Sequence, residues 1–446
     1  MNVFDCVVIG SGPAAIAALD ALNSPLRIAV VDGAVPAPAR NSQLHAKIRA
    51  VASSAGEIPG VAEILPPAQG NKPLFSTAAV GGFANYWGQQ FLPVHANDPW
   101  PRDLFANHAE FLAECAAIDA LFRIEGGQRL ENSAAKSSGF DFFGPRLLAG
   151  AAGSTVSALS AMKHVFRKIA EIKTARTLTA RAVSFCKADS GWTVRLDNGD
   201  EVSAAQIMLA AGVIGNAQIL SRSYSDIGAA RFSDHTPWMI YTLGLSLPAL
   251  LESNHFNVAT LEKTHEGRGA VYASVYDMRH ADLNLLAAST IGVTAGPLGR
   301  LHPPGIVKYL KPVQVWTQPT SGEVDLHRRE GAIFYTSSPS APRSDDDGSL
   351  KQTIELLKTL GAKVLHVSQT AAGDGFHYHA LEFQIAGRTA AGNAFTSAAD
   401  LLLERTAGGV TCVDASVLPA IGCRPPTLTA MAAARQLAKR LMRQPV

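Results

Sequence analysis

The stretch GSGPAA near the N-terminus has the spacing of a loop that binds a dinucleotide. Gly10 allows the tight turn, Gly12 lets the backbone approach a pyrophosphate, and Ala15 is small enough for a helix to pack on the preceding strand. The helix that begins here would point its free amide groups at the phosphates. The candidate binding residues of this loop are Gly10, Ser11, Gly12, Pro13, Ala14 and Ala15.

An acidic residue follows at the distance that such a loop requires. The apolar run Cys6–Ile9 predicts a buried strand before the loop, and LRIAVVDGA predicts a second buried strand that ends at Asp32. Strand, helix and strand form a βαβ unit, which places both strands in a parallel sheet covered by helices. Asp32, about 20 residues after the loop, would hydrogen-bond ribose hydroxyls. These features predict dinucleotide binding without separating FAD from NAD.

The composition indicates a globular protein that binds a small molecule. The 446 residues carry a net charge of +2 and are 47% hydrophobic, which is enough for a large core and two or three domains. Such a balanced charge predicts no nucleic-acid partner. No apolar run reaches the ~18–20 residues of a membrane helix, so we expect no integral membrane segment. Five widely spaced cysteines without a CxxC pair, and an N-terminus without a signal-peptide pattern, favour reduced thiols in the cytoplasm.

The middle of the chain predicts further β-structure. An alternating pattern indicates an antiparallel hairpin with turns at Asp189–Gly191 and Asp197–Asp200, followed by a buried strand, Gln206–Ala211, that rejoins the first sheet. Residues 233–373 mix short β-like runs with Pro/Gly stretches, which suggests a second domain inserted into the first. The charges of SDDDGS in this region indicate a solvated turn rather than a metal site.

Four segments spread over the chain carry a resemblance to a known family. They are VGGFANYWGQQFLP (80–93), QIMLAAGVIGNAQIL (206–220), FSDHTP (232–237), and VDASVLPA with PPTLTAMAAARQLAKRL near the C-terminus. Together they resemble the glucose–methanol–choline (GMC) family of FAD-dependent oxidoreductases. The C-terminal segment is the specific match, and nothing between residues 237 and 374 adds to it.

The resemblance implies FAD as the cofactor. In the glycine-rich segment, Gly81 and Gly82 would let main-chain amides approach the cofactor. Asn85 offers a donor and an acceptor, and Trp87 can pack flat against the cofactor. The alternative is an aromatic-rich turn packed on the core. Tyr86 stands where some relatives have a His with a covalent flavin link, which implies non-covalent FAD.

The later segments supply the remaining implied cofactor contacts. Asp414 would bond a cofactor hydroxyl or an ordered water at the pyrophosphate, and the backbone of Val183 would face the adenine. Thr427 and Leu428 open the final helix, whose positive end would lie near the flavin N1–C2=O edge. A helix that only closes the domain is the alternative. The implied set is Val183, Gly212, Asp414, Ala415, Thr427 and Leu428.

Two histidines in GDGFHYHALEF are candidates for the general base. Family members have in this place a His, followed by a Gly–Thr pair, that takes the alcohol proton as hydride leaves carbon for flavin N5. In a strand, His377 and His379 would point to the same face. Choosing His377 puts small Ala380 where the family has Gly, whereas choosing His379 puts Glu382 there. We therefore favour His377, with His379 second and a structural role for both as the third possibility.

One departure from the family affects the predicted mechanism. The family places an Asn or second His, which hydrogen-bonds the substrate oxygen, where this chain has Pro425. Proline has no side-chain donor and no N–H. Arg424 could supply a cation to the substrate instead, or could be an exposed residue that stabilises the turn, and Cys423 is predicted to be a buried neighbour rather than a redox thiol.

Two flavoenzyme hypotheses follow from that departure. The first is oxidation of a CH–OH group with a histidine base. The second is another flavin reaction, such as C–C or C–N dehydrogenation or a non-redox reaction, or a flavin-binding scaffold. An NAD-dependent dehydrogenase is disfavoured because it would leave the C-terminal segment unexplained.

We therefore predict an α/β fold with a Rossmann-like FAD-binding domain, in which helices cover a parallel sheet, and an inserted α+β substrate domain built on an antiparallel sheet. The FAD-binding domain would comprise residues 1–95, 175–235 and 400–446, and the substrate-binding cap residues 96–174 and 236–399. A small alcohol, sugar or specialised metabolite would enter between them. The electrons would pass on to oxygen, a quinone or a protein.

Overall fold

The computed structural model describes most of the chain. The described residues are 3–22, 25–33, 63–65, 74–76, 80–85, 90–148, 155–245, 257–277, 310–317, 321–329, 332–337, 346–370, 372–373, 377–387 and 395–441.

The described residues form both helices and strands. The helices are α1 (Pro13–Ala21), α2 (His108–Phe122), α3 (Ser133–Ser137), α4 (Thr155–Ile172), α5 (Gly212–Ser223), α6 (Asp346–Thr359), α7 (Ala398–Thr406) and α8 (Thr427–Leu441). The strands are β1 (Val3–Ile9), β2 (Ile28–Asp32), β3 (Glu63–Leu65), β4 (Leu74–Ser76), β5 (Ile124–Gly126), β6 (Arg129–Leu130), β7 (Asp141–Phe143), β8 (Arg146–Leu148), β9 (Arg176–Thr179), β10 (Ala182–Ala188), β11 (Gly191–Leu196), β12 (Glu201–Leu209), β13 (Ile227–His235), β14 (Trp238–Leu243), β15 (Asn257–His265), β16 (Arg268–Tyr276), β17 (Leu310–Thr317), β18 (Ser321–Arg329), β19 (Ala332–Ser337), β20 (Lys363–Gln369), β21 (His379–Ile385), β22 (Phe395–Ser397) and β23 (Val410–Cys412).

The first sheet is mixed and has seven strands. Its order is β10-β11-β12-β1-β2-β9, and β23 pairs with β12 beyond the end of β11. The pairs β12–β1, β1–β2, β2–β9 and β12–β23 are parallel, whereas the pairs β10–β11 and β11–β12 are antiparallel. The predicted parallel βαβ unit, the hairpin and the return of the later strand to this sheet are all confirmed.

Both faces of this sheet are buried, which is why its central strands are continuous apolar runs. On one face Cys6, Val8 and Met208 pack in a core with α1, α2 and α8. On the other face Val7 and Ile207 pack in a core with α5 and α7. Helices therefore cover the sheet on both sides, as the pattern predicted.

A five-stranded antiparallel sheet extends the second of these cores. Its order is β19-β18-β13-β21-β22, and Phe232, Leu326 and Phe383 pack in the same core as α5. This contact brings the end of β13 and the start of β21 close to the first sheet. Those two strand ends carry the histidines considered below.

The second antiparallel sheet has seven strands in the order β20-β14-β17-β16-β15-β7-β6. One face carries Ala273, Val313 and Val315 and packs on α6. Because side chains alternate along a strand, Tyr272, Ser274, Gln314 and Trp316 lie on the other face. The antiparallel sheet predicted for the middle of the chain is confirmed.

Two details differ from the sequence prediction. The SDDDGS segment is not a turn throughout, because α6 begins at Asp346; acidic residues favour a helix N-terminus. In addition, α2 and α4, which lie in the segment 96–174 predicted for the cap, contribute Phe111 and Phe166 to the core of the first sheet. The domain boundaries stay a prediction.

Candidate functional site

The two glycine segments of the sequence analysis meet at the start of α1. Gly10 has φ +108°, and a Cβ there would lie 2.3 Å from the carbonyl oxygen of Ala210, so the loop packs too closely for any side chain. A Cβ at Gly82 would lie 3.9 Å from the Cα of Gly12, and a Cβ at Gly12 would lie 3.9 Å from the carbonyl oxygen of Gly81. Two segments of the main chain, about 70 residues apart in sequence, therefore lie so close that a Cβ on either one would contact the other.

Ser11 joins these loops to the end of β2. Its hydroxyl donates a hydrogen bond to Asp32 and accepts one from the amide of Gly81 at 2.8 Å. Burial raises the pKa of Asp32 to about 6, and the hydrogen bond from Ser11 opposes that shift. The sequence analysis assigned Asp32 to ribose and Ser11 to the dinucleotide-binding loop, but the hydrogen-bonded bridge between them is a feature that only the structure supplies.

The helix that follows this loop begins without a side-chain cap. Gly12 is the N-cap residue of α1 and Pro13 occupies the first turn. Ala14 and Ala15 are buried against the sheet, and within the described residues no side chain caps the first turn of this helix. Such a helix start suits a phosphate group.

A second connection ties the C-terminal segment to the start of α5. The buried carboxylate of Asp414 accepts hydrogen bonds from the amide of Gly212 at 2.8 Å, from Asn216 Nδ2 at 2.9 Å and from the amide of Ser416 at 2.9 Å. Burial raises its pKa, and these hydrogen bonds oppose the shift. Ala415 begins the short 3₁₀ turn that Asp414 caps. Asp414 thus holds the backbone, and its contact with a cofactor stays a prediction.

The remaining predicted cofactor residues have varied surroundings. Leu428 is fully buried in the core against α1, so only its backbone is available to a ligand, and Thr427 is the first residue of α8. Val183 lies at a register shift between β10 and β11. Asn85 ends a 3₁₀ turn that begins at Gly82, and its side chain lies outside the described part of the structure, as do Tyr86 and Trp87.

The two predicted histidines differ in position. β21 begins at His379, so the prediction of a strand running through both residues is wrong for His377. The reason is Asp234, whose carboxylate accepts hydrogen bonds from the amides of His377 at 2.9 Å and Gly373 at 2.8 Å and so holds this segment outside the ladder. The structure thus gives a role to the Asp of the FSDHTP segment, which the sequence analysis had quoted without assigning one.

Three histidines come together at this point. The centroid of the His377 ring lies 6.2 Å from that of the His235 ring and 5.7 Å from that of the Trp316 ring. His379 is buried, its Nδ1 lies 2.9 Å from the carbonyl oxygen of His377, and burial lowers its pKa to about 4. His379 is therefore neutral near pH 7 and oriented by the backbone, whereas the His377 ring is the more exposed of the two.

Ala380 has a backbone conformation that glycine adopts more readily than alanine. Its φ is +52°, in the left-handed region that favours glycine, and the pairing of β13 with β21 shifts register here. The family has Gly at this place when His377 is taken as the base. The conformation therefore favours the alignment that selects His377.

Arg424 is neither exposed nor directed to open solvent. Its guanidinium binds Glu262 through both carboxylate oxygens, at 2.5 and 2.6 Å, and also donates to the carbonyl oxygen of Pro93. The side chains of Arg424 and Glu262 are only 12% and 7% exposed. The interpretation of Arg424 as an exposed turn residue is wrong. If Arg424 binds the substrate, its guanidinium does so while it also binds Glu262. Pro425, next in the chain, is buried.

A row of side chains connects this ion pair to the histidines. Glu262, Tyr272 and Trp316 lie opposite one another in register across β15, β16 and β17. Cys423, buried as predicted, packs with Tyr272 and Trp316. Burial raises the pKa of its thiol, which keeps it protonated. The turn before α8 is therefore linked to the ring of His377 through Trp316.

The polar groups of this sheet face continue toward Gln90. Gln90 Nε2 donates to Ser274 Oγ at 2.6 Å, and the hydroxyl of Tyr276 donates to Gln314 Oε1 at 2.9 Å.

No group of three or more His, Cys, Asp or Glu side chains suited to a metal ion occurs in the described ranges. Among the helices of the same residues, none has the length and apolar character to cross a membrane.

Comparison with known proteins identifies the fold. No protein-family model and no curated protein sequence matches this chain. Among solved structures, pyridoxine 4-oxidase from Mesorbium loti aligns with a TM-score of 0.59 over 99% of this chain and 100% of its own, at 13% sequence identity. This chain has the fold of the GMC oxidoreductases. The GMC fold predicted from four sequence segments is thereby confirmed, and at this identity the likeness establishes the fold alone.

Within the GMC fold, the sequence analysis missed three residues of the site. Asp234 and His235 end β13, and an adjacent Asp–His pair at a strand end was a signal that could have found them. Trp316 had no such signal, because its neighbour His377 lies 61 residues away in sequence and the contact depends on how two sheets pack.

Proposed function

We propose that the protein is an FAD-dependent oxidoreductase that oxidises a CH–OH group of a small alcohol, sugar or specialised metabolite. The observation that supports this most is the row Glu262, Tyr272 and Trp316, because it joins the turn before α8 to the ring of His377. Trp316 thus separates a histidine by a single ring from the segment that the family resemblance assigns to the flavin ring. Alcohol oxidation needs this combination of a hydride acceptor and a nearby base.

The residues around the glycine loops fit FAD. The close approach of Gly12 and Gly82 leaves main-chain atoms without side chains on that side, and the uncapped start of α1 offers amides to a pyrophosphate. Asp32, at the end of β2, would hydrogen-bond the ribose, and the start of α8 would face the flavin N1–C2=O edge. Bound FAD supplies the acceptor for the hydride that leaves the substrate carbon. We propose non-covalent binding, because Tyr86 replaces the linking His of some relatives.

His377 is the group that we propose as the base. This imidazole would accept the proton of the substrate hydroxyl as the C–H bond breaks, bound FAD would supply the hydride acceptor, and the substrate would become a carbonyl compound. Asp234 fixes the His377 backbone, and Trp316 packs edge-on against the ring, so the imidazole is held in place before the substrate binds. His379 is the poorer candidate because its Nδ1 is engaged with a carbonyl and its pKa is lowered to about 4.

The remaining parts of the proposal concern organisation. The segments 1–95, 175–235 and 400–446 would form the FAD-binding domain, 96–174 and 236–399 the cap, and the substrate would lie between them. All five cysteines are free thiols, which favours a reducing compartment such as the cytoplasm. The solved relative of the same fold is an oxidase, so oxygen is the first electron acceptor to test, before a quinone or a protein.

The test is anaerobic reduction of the flavin. We expect the purified protein to be yellow, to release FAD on denaturation, and to be bleached by at least one alcohol in a panel that includes pyridoxine. His377→Ala should keep the FAD and abolish bleaching, while the matched variant of an exposed histidine, His366→Ala, should behave as the parent. Equal bleaching in the His377 variant would refute the choice of base. A colourless parent protein would refute the proposal as a whole.

A second candidate function rests on Pro425. This buried residue has no donor where the family hydrogen-bonds the substrate oxygen, which favours a different flavin reaction, such as C–C or C–N dehydrogenation, or a flavin-binding scaffold. A flavin that dithionite reduces but no alcohol in the panel bleaches would support this second candidate over alcohol oxidation.

A further inference from the structure

His235 is a buried histidine that the proposed reaction does not use. It is the last residue of β13 and is 2% exposed. Its ring lies edge-to-face against that of His377, with 6.2 Å between centroids and 79° between planes. The two rings are too far apart for a direct hydrogen bond of ~2.8 Å, but close enough for one small ligand to contact both.

One nitrogen of His235 lacks a hydrogen bond. Nδ1 has no partner within the described structure. The ring also forms a hydrogen bond to the backbone of Thr317, which therefore involves Nε2. That bond favours protonation, as a carbonyl acceptor does, so Nε2 carries the hydrogen and Nδ1 keeps its lone pair. Burial, and then the positive charges that His377 and His379 would carry, lower the pKa of His235 well below its usual value, so the ring stays a neutral acceptor.

Trp316 offers the complementary group next to the same histidine. It is 2% exposed, and its indole Nε1–H has no hydrogen-bond acceptor among the residues that the structure describes. It precedes Thr317, the residue whose backbone bonds to the His235 ring, so that ring lies at the end of the strand that carries Trp316. A buried polar atom without a partner costs ~1–3 kcal/mol. An acceptor and a donor, both unsatisfied and both beside His377, therefore point to a polar ligand that bonds to each.

We propose that His235 Nδ1 and Trp316 Nε1–H bind a second hydroxyl group of the substrate, adjacent to the hydroxyl that reacts at His377. A hydroxyl is the group that satisfies both, because it donates one hydrogen bond and accepts another. The substrate class is accordingly an alcohol that carries a neighbouring hydroxyl, as in a vicinal diol, a sugar or a hydroxymethyl phenol. This inference rests on the proposed alcohol oxidation and specifies the substrate of the same site.

Matched pairs of alcohols test the proposal with the unmodified protein. The pairs are 1-propanol and 1,2-propanediol, cyclohexanol and 1,2-cyclohexanediol, and benzyl alcohol and 2-hydroxybenzyl alcohol. For each alcohol we compare the ratio of the rate constant for flavin reduction to the dissociation constant. In at least one pair this ratio should be higher for the second member by about tenfold or more, since one such hydrogen bond contributes about tenfold. Binding of the same compounds to dithionite-reduced protein, where no turnover occurs, should show the same preference. Equal reduction and equal binding within every pair would overturn the proposal, whereas no reduction by these six compounds or by any other alcohol of the panel would overturn the alcohol oxidation as well.

Variants assign the preference to the two side chains. Trp316→Phe should reduce the ratio between the members of a pair about tenfold, while Trp238→Phe should leave it unchanged. Trp238 is the matched control because its Nε1 also has no partner in the described residues, yet it packs on the opposite, α6-facing side of the sheet.

Two substitutions of His235 separate binding from structural support. His235→Asn retains a polar atom at the Nδ1 position, and His235→Gln retains one at the Nε2 position, which bonds to the Thr317 backbone. Substrate binding predicts that Asn preserves the ratio and Gln loses it. The reverse order, or an unchanged ratio in the Trp316→Phe protein with its FAD retained, would refute the roles of these residues. If the variants do not fold, the comparison of alcohol pairs on the parent protein decides the question.

Discussion

The buried ion pair between Arg424 and Glu262 gives the sharpest test of how the turn before α8 is held. Glu262→Gln keeps the shape of the side chain but removes the charge that compensates the guanidinium. The pair is bidentate, at 2.5 and 2.6 Å, and the two side chains are only 12% and 7% exposed, so water cannot replace the carboxylate. Removing one partner of such a pair costs about 3–5 kcal/mol.

That free energy corresponds to a measurable shift in melting temperature. With an unfolding entropy of about 2.1 cal/mol/K per residue over the 446 residues, the loss lowers Tm by roughly 3–5 °C. The assay is thermal unfolding of the FAD-loaded protein, followed by circular dichroism and flavin fluorescence together. Glu201→Gln is the matched control, because its partner Arg195 and Glu201 itself are about half exposed or more, and we expect no resolvable shift there.

A double variant checks the cause of the effect. Arg424→Met combined with Glu262→Leu removes both charges, so it should be more stable than the Glu262→Gln protein. Because the pair joins β15 to the turn before α8, the single variant should also lose FAD more readily. Two results would contradict this account of the turn. One is a Glu262→Gln protein that melts within 1 °C of the parent, and the other is a double variant that is less stable than the Glu262→Gln protein.

Three further predictions concern the cofactor loops and the histidine segment. Asp234→Asn should lower the rate of flavin reduction by alcohol about tenfold or more with FAD still bound, since the carboxylate accepts two charge-assisted hydrogen bonds that position the base; an unchanged rate in stopped-flow measurements would refute this. Burial raises the pKa of Asp32 from 3.8 to about 6, so the FAD-free protein should lose up to ~3 kcal/mol of stability as pH rises from 4 to 6, and Asp32→Asn should remove that slope in Tm against pH. Gly10→Ala should prevent formation of yellow holoprotein because its Cβ would lie 2.3 Å from the Ala210 carbonyl oxygen, whereas Gly199→Ala, with positive φ but open space around it, should cost only ~1 kcal/mol in chemical denaturation.

Local rules made the first βαβ unit predictable. Its strands are continuous apolar runs because helices cover both faces of the sheet, and such runs are readable in sequence. Gly10 was predictable for a similar reason, since its positive φ and its contact with Ala210 exclude every side chain. The GMC fold followed from short segments of this kind, which lie at the turns between strands and helices.

The position of the histidines was only partly predictable. Strand alternation placed His377 and His379 on one face, but the carboxylate of Asp234, 143 residues away, takes the His377 amide out of the strand. The left-handed conformation of Ala380 then shifts the register of the pairing. A carboxylate from another strand and a single-residue bulge leave no periodic trace in the segment they change.

Local sequence was enough to predict the glycine loop before α1, the parallel and antiparallel sheets and the histidine segment, because each depends on residues near one another in the chain. Only the tertiary structure decided the partners of those residues: Ser11 with Gly81, Arg424 with Glu262, and His377 with His235 and Trp316. These contacts span tens to hundreds of residues, and they arise where separate sheets and helices pack. Their free energy comes from burial and charge pairing, which exist only once the chain has folded.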